Sequence, residues 1–146
     1  AAEKKLRVAR EAKNKRRRAA AAVKKRDGLN IRVRMPKTAD DFEMVCVEWM
    51  RKGAFPDAER TPKGPDGGID ALASDAVGQA KFHPSQKVTA ESVRALAGSR
   101  VERRKKRALF FHYGPGYTPD AIEAAIKIRV ELYDLDVDTL RFKKIN

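Results

Sequence analysis

Gly67-Gly68-Ile69-Asp70-Ala71-Leu72-Ala73-Ser74-Asp75-Ala76-Val77-Gly78-Gln79-Ala80-Lys81-Phe82 is the stretch on which the fold turns. Two brief apolar runs, Ile69 to Ala73 and Ala76 to Phe82, are separated by Ser74-Asp75 and read as a β-hairpin. Strand alternation puts Val77, Gln79 and Lys81 on one face and turns the Ala80 side chain into the core. A turn centred on Asp75 and Ala76 would set Asp70 directly across from Lys81, and a slip of one residue would undo that pairing. The preceding Pro62-Lys63-Gly64-Pro65-Asp66-Gly67-Gly68 is dense in residues that punctuate structure, so Asp66 reads as a turn former.

Upstream, a short extended piece from Ile31 to Met35 leads to Pro36-Lys37-Thr38. Thr38 followed three residues later by Asp41 resembles a capping box, and Gly53 sits where a helix end wants it. Between them Phe42, Val45, Cys46, Trp49 and Met50 recur at i, i+3, i+4, i+7 and i+8, one buried helical face that makes Cys46 a core residue. Glu43 lies one step around, at the edge of that face. Downstream, helical spacing from Thr89 to Lys105 turns Val93, Leu96, Ala97 and Val101 inward, and Arg107 to Tyr113 is a compact apolar strand. Thr118-Pro119-Asp120 caps a further helix with Ile122, Ala125, Ile126 and Val130 inward, before a strand around Glu131 to Asp134. A short closing helix is expected near Asp136 to Phe142. Helix, hairpin, helix, strand, helix, strand implies a three-layer α/β/α sandwich around a central mixed sheet.

The chain has 146 residues, 33 of them Lys or Arg and 20 Asp or Glu, for a net charge of +13. That is one domain plus some tail. Residues 1–27 hold 12 cations against 3 acids, while residues 28–146 hold 21 against 17. We therefore divide the chain into a basic arm, residues 1–30, and a folded unit, residues 31–146. The arm is rich in Ala, Lys and Arg, free of Pro and poor in large apolar side chains, so it reads as a solvated helix or an arm that orders on a polyanion. The cluster Lys15, Arg16, Arg17, Arg18 suits nucleic acid phosphate through counterion release. No apolar run approaches the roughly 18 residues of a membrane span. One cysteine forms no internal disulfide, and Cys46 with His83 and His112 cannot complete a four-ligand zinc site. The expected compartment is the reducing cytoplasm; a native chain extending before Ala1 would admit a membrane tether.

Phosphodiester hydrolysis needs a hard divalent cation, a nucleophilic water and positive charge near the developing phosphorane oxygens. Asp70 offers Mg²⁺ a carboxylate, while the Gln79 side chain and the Ala80 backbone offer neutral carbonyl oxygens. Lys81, on the face of Gln79, can orient the water or steady the phosphate. On spacing alone, an Asp and a Lys at opposite ends of a hairpin are more commonly a plain cross-strand ion pair worth ~0.2–1 kcal/mol.

The string GPDGGIDALASDAVGQAKF, preceded by a helix carrying DFE and followed by GYTPDAIEAA, resembles the Mrr-like restriction endonuclease family. That family is a branch of the PD-(D/E)xK nuclease superfamily in which Gln replaces the second acid. The resemblance runs from about Asp41 to the C-terminus. It implies the restriction-endonuclease-like fold, Mg²⁺-dependent cleavage of DNA with Mn²⁺ as a substitute, and a centre at Asp70, Gln79 and Lys81. Glu43, matching the acid on the family's first helix, would join Asp70 and Gln79 at the metal and restore the charge that Gln79 removes.

Arg103, Arg104, Lys105, Lys106 and Arg107 form a cationic run at a helix end, read as a second phosphate contact. His83 reads as a solvated loop residue, His112 as a satisfied sheet residue, and Gly114-Pro115-Gly116-Tyr117 as a turn lacking the Lys-Ser/Thr ending of a phosphate loop. The leading expectation is a Mg²⁺-dependent DNA endonuclease of a restriction system, acting as a homodimer to cut both strands. The alternatives are a catalytically silent nucleic-acid-binding module on a nuclease-like scaffold, or a Holliday-junction-resolving nuclease.

Overall fold

Thr38 starts the first helix of the folded unit as its spacing requires: its hydroxyl accepts from the Asp41 N–H at 3.0 Å, and Gly53 closes the far end through the Trp49 and Met50 carbonyls. A computed structural model describes residues 1–62 and 68–146, with backbone alone for 20–27. Its elements are α1 (Ala2–Asp27), α2 (Ala39–Lys52), β1 (Glu59–Arg60), β2 (Ala71–Leu72), β3 (Ala76–Phe82), α3 (Ala90–Glu102), β4 (Arg107–Tyr113), α4 (Pro119–Ile128), β5 (Glu131–Asp136) and β6 (Arg141–Lys144). The strands form one sheet in the order β1-β2-β3-β4-β5-β6. β3, β4 and β5 run parallel and the remaining neighbours antiparallel.

The mixed sheet carries helices on both faces. Phe42, Val45, Cys46, Trp49 and Met50 of α2 pack with Phe111, Tyr133 and Phe142 in one core. On the other face Val93 and Leu96 of α3 and Ala121 and Ala125 of α4 enclose Val77, Phe110 and Leu132. The crossovers β3-α3-β4 and β4-α4-β5 put α3 and α4 together, leaving the opposite face to α2.

The arm is helical: α1 spans 26 residues, about 39 Å at 1.5 Å per residue, and residues 1–19 are exposed throughout. At its root Gly28 has φ +80°, and a Cβ there would fall 2.4 Å from the Trp49 ring. Trp49 Nε1 donates to the Gly28 carbonyl at 2.8 Å, which fastens the start of the extended segment to the core.

Four expectations are corrected. The hairpin turns on Ser74-Asp75, one position earlier than read, with Ala73 N–H donating to Ala76 O at 2.9 Å and Ala71 paired with Gly78. The cause is distant in sequence, because the Asp57 carboxylate accepts from both the N–H and the hydroxyl of Ser74. Val101 is 72% exposed. The buried positions of α3 are Val93, Leu96 and Ser99, and on a 3.6-residue period Val101 stands about 140° from the centre of that stripe. Ile126 is 62% exposed, because Ala121, Ala124 and Ala125 are the buried positions of α4. No closing helix forms. Asp136 Oδ1 accepts from Asp138 and Thr139 N–H groups, the chain reverses through Leu140 at φ +55°, and β6 returns beside β5 with Phe142 buried.

Candidate active site

The pairing of β2 with β3 ends where the chemistry-bearing residues begin. Asp70 N–H donates to Gly78 O at 2.9 Å, although Gly78 is already the partner of Ala71, so two residues, Asp70 and Ala71, oppose one of β3 in a bulge. The expected pairing of Asp70 with Lys81 does not form, because the ladder runs from Ala71–Gly78 toward the turn and bulges at Asp70. Alternation breaks there: Ile69 and Leu72 lie on the α3 and α4 side and Ala71 on the α2 side. At the next step the ladder forks: Ala80 N–H meets the Asp70 side chain, Oδ2 at 2.7 Å, in place of a backbone carbonyl. Backbone N–H and C=O of one strand residue face the same flank, so the Ala80 carbonyl also looks into the fork.

Along β3, Ala76, Ala80 and Phe82 pack toward α2 while Val77 joins the α3 and α4 side. Gln79 and Lys81 share the face of Val77 by alternation. Glu43 comes from α2, the opposite layer, and adjoins Asp70 at the fork. Burial pushes the Asp70 carboxyl up; the Ala80 N–H opposes this, and the charge and hydrogen bonding of Glu43 raise it further, to about 7, against the pull of Lys81. Gln79 is buried, its amide roofed by Gly68, where φ is +79° and a Cβ would stand 2.9 Å from Nε2.

Arg60 and Asp40 belong to this end of the sheet and were missed from sequence. Arg60 Nη2 donates at 2.6 Å both to Asp40 Oδ1 and to Glu43 Oε2. Asp40 and Glu43 are three apart on α2 and so share a face, but a two-residue strand has no periodicity to announce Arg60. Cys46 lies buried beneath, its thiol pushed up by burial and by the charges of Asp70 and Glu43.

The other candidates lie elsewhere. Asp66 falls outside the described residues. His83 is exposed. His112 is fully buried, with Nε2 3.1 Å from Gln86 O and Nδ1 3.5 Å from Asp134 Oδ1; those two facing atoms lack a hydrogen-bond partner among the described residues, so this histidine is only half satisfied. Lys15, Arg16, Arg17 and Arg18 are exposed on α1. Arg103, Arg104 and Lys106 are exposed just before β4, and Lys105 donates to Ser74 O at 3.0 Å. From Arg107 to His112, the partner of Lys81, β4 advances about 16 Å at 3.3 Å per residue, so this run sits at the far end of the strands from the fork.

A family model of restriction endonuclease catalytic domains, of the Mrr type, matches residues 37–137. The chain belongs to that family. Its matched region takes in α2, the hairpin and the fork, and leaves the basic α1 outside. No curated protein and no solved structure matches the chain. The family implies a divalent metal, and the donor set fits one. Two adjoining carboxylates, one of them holding its proton up to about 7, are short of positive charge, and hard oxygens are what such a cation takes. Among the described residues no three His, Cys, Asp or Glu cluster as ligands, so neutral oxygens from Gln79 and Ala80 would have to complete the set. No described helix of this restriction endonuclease family member is long and apolar enough to cross a membrane.

Proposed function

We propose that the chain is a Mg²⁺-dependent DNA endonuclease. The observation that carries this reading is the pair of carboxylates, Asp70 and Glu43, brought from two layers of the fold to the point where β2 and β3 part. Asp70, Glu43 and Gln79 would hold the ion, and Mg²⁺ when bound would polarise the phosphate and activate water. Asp70 is aimed by the Ala80 N–H, which keeps one carboxylate oxygen at the fork. Lys81, on the strand face of Gln79, would donate to the attacking water or to a phosphate oxygen and offset charge as the new P–O bond forms and the P–O3′ bond breaks. The covering Gly68 leaves room for the Gln79 amide, which any Cβ there would crowd.

The cations of α1 and the run Arg103 to Lys106 would hold duplex phosphates at a distance from the chemistry. Residues 1–30 then serve as an arm to the catalytic unit, residues 31–146. Cleavage of both strands would take two copies.

The test is nicking of supercoiled plasmid with and without Mg²⁺. Wild type should nick only with the ion, and Asp70→Asn and Lys81→Ala should not. Salt-sensitive DNA binding with no ion-dependent product would instead identify a silent binding module. Preference for four-way junctions over linear duplex would identify a resolving enzyme.

A further inference from the structure

We propose that Arg60 is the positioning residue for Glu43: it holds one oxygen of that carboxylate so that the group stays beside Asp70, touching neither ion nor substrate itself. The inference rests on the fork being a divalent-cation site. Arg60 reaches Glu43 from the sheet edge, and the backbone that delivers it is fastened to the segment carrying Asp70. Arg60 pairs with Ala71, the Thr61 N–H donates to Asp70 O at 3.1 Å, and the Thr61 hydroxyl donates to Ile69 O at 2.5 Å. The guanidinium thus ties a side chain of α2 to the strand framing the other carboxylate.

Without it, Glu43 is a long flexible side chain facing a like charge, and rotation toward solvent relieves the repulsion. Asp40 explains why a cation so near a metal site need not oppose the metal. The same Nη2 bridges Asp40 Oδ1 and Glu43 Oε2, each at 2.6 Å, so the Arg60–Asp40 pair is neutral as a unit and gives Glu43 a hydrogen bond without net repulsion toward an incoming ion. Groups that orient a ligating carboxylate typically govern affinity by 10–100-fold when removed.

The experiment is calorimetric titration of Mn²⁺ alone into the full chain, without DNA. Arg60→Gln should weaken binding by about 10–100-fold, and Arg60→Lys, whose ammonium can bridge the same two carboxylates, should recover most of it. Arg60→Gln binding as tightly as wild type, or more tightly, overturns the proposal and leaves the metal reading standing. A wild type that binds no ion removes the metal reading, and this inference with it. Should Arg60→Gln fail to fold, the wild type decides: on saturation with Mg²⁺ the Arg60 Nη–H resonances, which the two carboxylates hold, should stay protected from exchange, and collapse to the behaviour of the exposed α1 arginines means that the ion displaces Arg60.

Discussion

The two ends of the parallel strands are opposite in charge and in what their acids are paired with. At the fork, Asp70 and Glu43 stand side by side, and burial with mutual repulsion raises Asp70 to about 7. At the other end, Glu131 is comparably buried, yet Arg107 meets it through two nitrogens at 2.8 and 2.6 Å; burial pushes its carboxyl up, and the Arg107 hydrogen bonds and charge overcome that and hold it below the ordinary range. Arg107 is itself braced over the Phe55 ring at 4.8 Å. One end holds carboxylates whose charge is incompletely offset; the other holds a closed pair amid exposed cations. Equal burial therefore leaves a carboxyl raised or lowered according to whether a fixed cation is supplied in full.

The largest difference between the ends should be in turnover. Asp70→Asn or Lys81→Ala should lower Mg²⁺-dependent plasmid nicking by on the order of 10²–10³-fold. Replacing Arg103, Arg104 and Lys106 together by Ala should leave single-turnover rate at saturating DNA unchanged. Equal losses at both ends would erase the distinction.

Binding should divide the other way. The triple replacement, and separately the deletion of residues 1–27, should weaken DNA affinity and flatten its dependence on log salt by about 0.9 for each phosphate no longer neutralised. Fluorescence anisotropy over a salt series checks this, and a slope that stays put would assign those cations to solvation alone.

The smallest effect is in stability, and its sign reverses between the ends. A carboxyl raised in the folded state binds protons that the unfolded chain has released, so the fork loses stability as pH climbs from about 4 to 7. Asp70→Asn, whose amide oxygen can still accept from Ala80, should raise the Tm of the ion-free protein by a few °C at pH 8 and leave it unchanged near pH 4. Glu131 is lowered, so its contribution is present above its unfolded value and fades as pH falls through its folded one. Glu131→Gln should therefore lower Tm at pH 7 and have less effect near pH 3. Thermal melts in chelator across that range give both curves, and parallel curves would contradict the assignment.

What the sequence made legible is local. Thr38, Asp41 and Gly53 delimit α2 through contacts within a few residues, and the compact, largely apolar run from Arg107 to Tyr113 marks β4. The proposed metal-binding constellation was legible through GGID and QAK, by the family resemblance those strings carry, since their spacing alone reads equally as a cross-strand ion pair. Its register was not, because Asp57 sets the turn from 17 residues away. β6 was missed for a related reason: an aspartate at Asp136 can cap a helix or close a turn, and what decides is Phe142 meeting Trp49 edge to face at 5.4 Å, a contact invisible to periodicity. Arg60 needed the sheet itself, since only the β1–β2 pairing brings it to α2.

The sole tryptophan of the chain is bonded through its indole nitrogen to the carbonyl where α1 meets the folded unit, and is ringed by Phe111, Tyr133 and Phe142. Its indole is therefore bonded directly to the junction between the basic helix and the folded unit. A ligand that broke that bond would be announced optically from inside the protein, with no dye attached.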